Sequence, residues 1–193
     1  MTRTATITRT TKETDVSVEL TLEGSGAASS DTGLPFFDHM LEQLGKHSGF
    51  DLAITCKGDL KVDGHHTVED CGISVGEALN EALGDKRGVR RFASVAIPLD
   101  EALVAVALDL SGRPFLVWDL DVPAETIGSF DTSLAEDFVQ ALVTTAGITM
   151  HVRLISGRSP HHVLEAAFKG MARALGDAVR IVGDQVPSTK GTL

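Results

Sequence analysis

Apolar residues alternate with polar ones from Thr14 to Glu23, with Val16, Val18, Leu20 and Leu22 on one face. That period of two predicts a half-buried strand. Ala102 to Ser111 repeats the pattern with Val104, Val106, Leu108 and Leu110, offset by 88 (104 − 16), which also aligns Glu13 with Glu101. A helical pattern follows each strand. Phe36 to Lys46 carries Phe37, Met40, Leu41 and Leu44 at helical spacing, and Leu134 to Thr144 carries Leu134, Phe138 and Leu142, with an offset of 98. Gly45 and Gly49 suit the end of the first of these helices. Strands are predicted next over Phe50–Cys56 and Ile148–Ile155. A long helix closes each half; in the second, Val163, Leu164, Ala167, Phe168, Met171, Ala172 and Leu175 form its apolar stripe, with Pro160 before it and Gly183 beyond it.

The order therefore repeats: strand, strand, helix, strand, helix, with room for one more strand. It predicts an α/β (α+β) sandwich with pseudo-twofold symmetry, one domain over 1–193 built from repeats of roughly 1–90 and 91–193. A polar tail follows over 183–193, a composition that favours disorder.

Both long helices open on the same chemistry. His65-His66-Thr67-Val68-Glu69 recurs as His161-His162-Val163-Leu164-Glu165, offset by 96 at each ligand-type position. On a helix the carboxylate lies three and four residues after the two imidazoles, so all three share one end and one face. An adjacent histidine pair is often only a surface feature, but repetition favours a divalent-metal half-site in each half. Imidazole with carboxylate suits Mn, Fe, Zn, Ni or Co rather than Ca or Mg. No cysteine stands at ligand spacing for a closed thiolate zinc site. The offset of 98 maps His39 onto Asp137, adding one further candidate ligand per half. Eight ligands would serve two octahedral ions with open positions for substrate.

Arg90, Arg91 and Arg113 stand near predicted strand ends, where arginine binds phosphate or carboxylate, or makes an ordinary surface ion pair. His151 lies in a predicted strand and reads as structural.

Charge narrows the partners. A formal net charge of −10 argues against nucleic-acid or anionic-membrane surfaces. No apolar run approaches the ~20 residues of a membrane span, and the N-terminus lacks the apolar stretch of a signal peptide. Cys56 and Cys71 are too few for a disulfide framework and are expected as reduced thiols in a cytoplasmic protein.

Four segments together resemble the imidazoleglycerol-phosphate dehydratase family: Gly33-Leu34-Pro35-Phe36-Phe37-Asp38-His39-Met40-Leu41, His65-His66-Thr67-Val68-Glu69-Asp70, Ser111-Gly112-Arg113-Pro114, and His161-His162-Val163-Leu164-Glu165-Ala166-Ala167-Phe168-Lys169. The resemblance runs from Arg9 to Gly191. It implies a lyase of histidine biosynthesis that converts imidazoleglycerol phosphate to imidazole acetol phosphate through a metal-bound imidazolate. It also implies two Mn(II) ions per active site and a homo-oligomeric cage of twenty-four subunits, with sites between neighbours. The implied metal ligands are His39, His65, His66, Glu69, Asp137, His161, His162 and Glu165. Asp137 departs from the family, which commonly has His there; aspartate can bind Mn(II), but through a shorter arm. Implied phosphate contacts are Arg91, Arg113, Ser188, Thr189 and Lys190, and implied substrate contacts include Gln43, His47 and Lys169. Glu13 matches the acid–base carboxylate, and His39, Glu69 and Glu165 count with it as catalytic groups. The chain has no DxDxT-like motif and no room for the phosphatase domain fused to some relatives.

Paired metals suit activated water equally well, so a di-metal hydrolase of a small phosphorylated substrate is the alternative. A metal-storage or metal-dependent assembly protein is the non-enzymatic one.

Overall fold

A computed structural model describes residues 2–122 and 125–193. The first half contains β1 (Thr4–Thr10), β2 (Thr14–Thr21), β3 (Ala28–Asp31), α1 (Pro35–Ser48), β4 (Asp51–Gly58) and α2 (His65–Leu83). The second contains β5 (Phe92–Leu99), β6 (Ala102–Asp109), β7 (Phe115–Asp119), the short pair β8 (Thr126–Ile127) and β9 (Phe130–Asp131), α3 (Leu134–Ala146), β10 (Thr149–Ser156) and α4 (Pro160–Ala178).

The two four-stranded sheets have matching orders, β1-β2-β4-β3 and β5-β6-β10-β7. Each has three antiparallel strands and one parallel edge strand, β3 or β7. The repeat extends to register. Ile7 opposes Val18 and Val95 opposes Val106, both pairs offset by 88. Val16 opposes Cys56, and Val104 opposes Leu154.

Val16, Val18 and Leu20 of β2 and Val104, Val106 and Leu108 of β6 are buried beneath helices, as the alternation requires. α2 covers β1 and β2, while α4 covers β5 and β6. The helix layers then meet crosswise: α1 packs on α4, and α2 on α3. Phe37, Phe138 and Phe168 link three helices at the centre, with centroid separations of 5.3 and 5.7 Å. α2 and α3 approach closely because Gly72 and Gly76 have no side chain. A Cβ on Gly72 would stand 2.6 Å from the Phe138 carbonyl oxygen, and one on Gly76 would strike the Thr145 hydroxyl.

Several boundaries differ from expectation. Gly49, with φ 81°, ends α1, whereas Gly45 lies inside it and packs on Ala28. α4 ends at Ala178, well before Gly183. The extra strand precedes the first helix of each half. β3 is too small and polar to announce itself, and β7 is apolar without alternation. The tail folds back on the molecule rather than extending away. Val89 bridges Ile181, and the Gly88 N–H donates to the Gln185 carbonyl at 2.8 Å.

Candidate active site and metal centres

The crossed helix packing brings together ligands that belong to different halves. His39, on α1, meets His161 and Glu165, on the first turns of α4. Glu165 Oε2 lies 2.9 Å from His161 Nε2 and 3.5 Å from His39 Nε2. One ligand atom from each of the three residues fits within a span of 4.8 Å. Glu165 Oε1 also accepts from Lys169 Nζ at 2.7 Å. Burial works to raise the Glu165 pKa, but Lys169 and His161 hold it below the usual carboxylate value.

The reciprocal cluster joins His65 and Glu69 of α2 to Asp137 of α3. Asp137 Oδ2 is 3.1 Å from His65 Nδ1, and Glu69 Oε2 is 3.9 Å from His65 Nε2. The two carboxylates face different nitrogens of one ring, so this cluster is more open than the first. Two imidazoles with a carboxylate, and one imidazole with two carboxylates, both fit borderline divalent cations. All three side chains of the second cluster are 40–49% exposed, so an ion there would face outward.

The second histidine of each pair turns away from its own cluster. His66 Nδ1 lies 3.2 Å from Asp59, and His162 Nδ1 lies 2.7 Å from Glu101 Oε2. A carboxylate only accepts, so Nδ1–H donates in the neutral ring and Nε2 keeps its lone pair for a metal. The pKa of His66 is raised chiefly by its hydrogen bond to Asp59, and that of His162 by its hydrogen bond to Glu101. Asp59 was missed in the sequence because it stands apart from the HHxxE motif, with no spacing signal.

Glu13 and Glu101, equivalent by the repeat, have different surroundings. Glu101 accepts from His162 and from the N–H groups of Ser159 and Arg158, which hold its pKa down to about 2. Glu13 reaches His66 Nε2 only at 3.8 Å and is 54% exposed. Asp59, rather than Glu13, holds the His66 ring. Buried Asp70 anchors this arrangement by accepting from Arg9 Nε at 2.9 Å and from the Thr14 hydroxyl, beside Glu13.

Gln43, His47 and Lys169 continue the first cluster along α1 and α4. His47 Nε2 lies 3.0 Å from Gln43 Oε1. Burial lowers the His47 pKa, and Lys169 and Arg173 lower it further. His151 is half-buried on β10.

Arg91, Arg113, Ser188, Thr189 and Lys190 line one cavity of about 730 Å³ with Ser111 and Gly112. Arg91 clamps Asp109 at 2.7 and 3.1 Å and donates to the Pro187 carbonyl at 2.7 Å, joining the strand end to the tail. This cavity lies at the far end of β6 from the His162–Glu101 pair. The eight residues of β6, at ~3.3 Å each, separate the two by ~25 Å.

Residues 32–175 match the profile of the family described as imidazoleglycerol-phosphate dehydratase. The chain belongs to this family. Proteins carrying the family name from Jannaschia sp. (strain CCS1) and Paracoccus denitrificans (strain Pd 1222) are 54% and 56% identical, covering 99% of this chain and 100% of their own length. The Staphylococcus aureus family structure superposes with a TM-score of 0.84 at 37% identity, over 92% of this chain and 99% of that one. The Pyrococcus furiosus structure gives 0.85 at 38% identity, over 97% and 100%. Family membership over the full length does not favour the hydrolase alternative. Among the described residues, no helix is long and apolar enough to cross a membrane.

Proposed function

We propose that this chain is a lyase that removes water from imidazoleglycerol phosphate in histidine biosynthesis, acting without phosphatase activity at sites completed between subunits. The observation that carries the composite site is the ~25 Å separation along β6 between the cationic cavity and His162, the outward-turned ligand histidine of the same half. A substrate with three carbons between ring and phosphate cannot span it within one chain. A neighbouring subunit supplies the missing part.

The reading takes manganese as the metal, two ions per site, with His39, His65, His66, Glu69, Asp137, His161, His162 and Glu165 as ligands. When bound, the metal supplies Lewis-acid polarisation of the imidazole ring and of the leaving hydroxyl. Arg91, Arg113, Lys190 and the hydroxyls of Ser188 and Thr189 hold the phosphate. That remote binding energy aligns the reacting carbons. Glu13 accepts the C2 proton, the hydroxyl leaves from C3, and the resulting enol relaxes to the ketone. Gln43, His47 and Lys169 line the approach along α1 and α4. The assembly is a cage of twenty-four subunits in the cytoplasm.

The test is incubation of the manganese-loaded protein with imidazoleglycerol phosphate, following ketone and free phosphate together. Ketone without phosphate is expected. Phosphate without ketone would transfer the site to hydrolysis.

A further inference from the structure

Lys86 occupies an unfavourable position for a lysine. It lies in the turn after α2 with φ 58°, a left-handed conformation that disfavours side chains. It is only 5% exposed. Its ammonium has three donors but makes one long hydrogen bond, 3.4 Å to the Leu110 carbonyl. Among the described residues it has no ion-pair partner. A buried, incompletely paired charge costs more than one such bond returns. Burial lowers the Lys86 pKa; Asp109 opposes that shift and Arg91 adds to it.

The surroundings of Nζ point to what offsets this cost. A Cβ on Gly112 would stand 4.0 Å from it, so Nζ lies close behind the Ser111-Gly112-Arg113 turn. That turn forms one wall of the cavity holding Arg91, Arg113 and Lys190. Asp109 brings a negative charge to the same place: it clamps Arg91 and approaches Arg113 at 3.9 Å. Asp109 offsets part of the positive field of the two guanidiniums, and the Lys86 ammonium behind the wall restores it.

We propose that Lys86 is a positioning residue for the substrate phosphate. It holds the Leu110–Gly112 backbone and adds positive charge from behind the pocket, without touching the substrate. This rests on the cavity being the phosphate site.

The experiment uses the full-length manganese-loaded assembly carrying K86M, K86Q, K86R or, as a control on the cavity, R113A. It measures kcat, KM, manganese content and competitive inhibition by inorganic phosphate. K86M and K86Q are expected to raise KM and the phosphate inhibition constant together by about tenfold, since each removes a buried charge near the anion. The fall in kcat should stay within about twofold, the pattern of lost uniform binding, and K86R should restore both constants to within about threefold. K86Q can still donate to Leu110 but carries no charge, so wild-type phosphate affinity in K86Q would overturn the inference. Loss of kcat in K86M with both constants unchanged would also overturn it, leaving a purely structural lysine. Where K86M does not assemble, K86Q and K86R decide. If R113A also leaves phosphate inhibition unchanged, the cavity is not the phosphate site; if R113A weakens it and the Lys86 variants do not, only the Lys86 inference fails.

Discussion

The two halves share strand order and register but treat negative charge in opposite ways. After β2, the Ser25 N–H and hydroxyl and the Ala27 N–H all donate to Asp51 Oδ1, at 2.7 to 3.0 Å. After β6, Thr149 takes the place of Asp51 (149 − 51 = 98) and bonds the Arg113 carbonyl and the Ser111 hydroxyl instead. The first loop carries its own carboxylate. The second turn presents cations to an open cavity and has no acidic residue at the equivalent position. The two equivalent glutamates diverge as well. Glu101 is committed to His162 and two backbone N–H groups, while Asp59 relieves Glu13 of the corresponding duty. Duplication supplied two copies of a scaffold; on the proposed reading, single-residue differences give anion binding to one half and acid–base chemistry to the other.

The sharpest way to break this comparison is to neutralise both glutamates. E13Q should lower kcat by ~10²–10⁴ with manganese content intact, the scale of general acid–base help. E101Q should instead weaken manganese binding by about 10–100-fold, as loss of an orienting carboxylate does, and recover turnover when manganese is in excess. Equal loss in E101Q at saturating manganese would erase the distinction.

Next in size is the exchanged ligand. D137A should release roughly one manganese of each pair, read by metal analysis after gel filtration, because α2 alone offers too few donors. Undiminished content would remove Asp137 from the ligand set. Chelation should give smaller oligomers by light scattering, since ligands shared between subunits stabilise the assembly only while metal is bound. An intact assembly at zero metal content would contradict shared sites.

Planting the first half's carboxylate in the second tests the anion comparison directly. T149D should raise KM by about tenfold through repulsion of the phosphate, with kcat less affected. An unchanged KM would mean that position 149 does not govern the cavity.

The smallest effect belongs to Asp51. Hydrogen bonds from the Ser25 and Ala27 N–H groups hold its carboxyl below the ordinary aspartate value of 3.8. A depressed folded pKa stabilises above the unfolded value and is lost as pH falls through the folded one. D51N should therefore melt slightly below wild type at neutral pH, with the gap closing below pH 3.8. A gap that persists in acid would show that charge is not the cause.

Much of this was legible in the chain. Alternation at Val16–Leu22 and Val104–Leu110 announced the central strands, because a strand buried on one face must alternate. The HHxxE repeat announced that each long helix opens on a matching group of imidazoles and a carboxylate, because helical geometry sets those side chains at one helix end. The short strands β3 and β7 were not legible: β3 alternates in burial but is built of small, mostly polar residues, and β7 is apolar without alternation. Asp59 and Lys86 were not legible either: Asp59 reaches His66 across an irregular turn that carries no periodic spacing, and Lys86 meets the Gly112 turn only because β5 and β6 bring it back.

The sequence by itself determined the duplication, the layer composition and the repeated imidazole–carboxylate groups at the helix starts, all of which follow from local pattern. Only the tertiary structure decided which ligand joins which cluster. Every helix offers an apolar stripe, and nothing local says that α1 docks on α4 and α2 on α3. That choice is made by shape, with Gly72 and Gly76 admitting α3 and the Phe37–Phe138–Phe168 contacts filling the centre. It carries His39 to Glu165 and Asp137 to His65, across halves that the repeat alone would have kept apart.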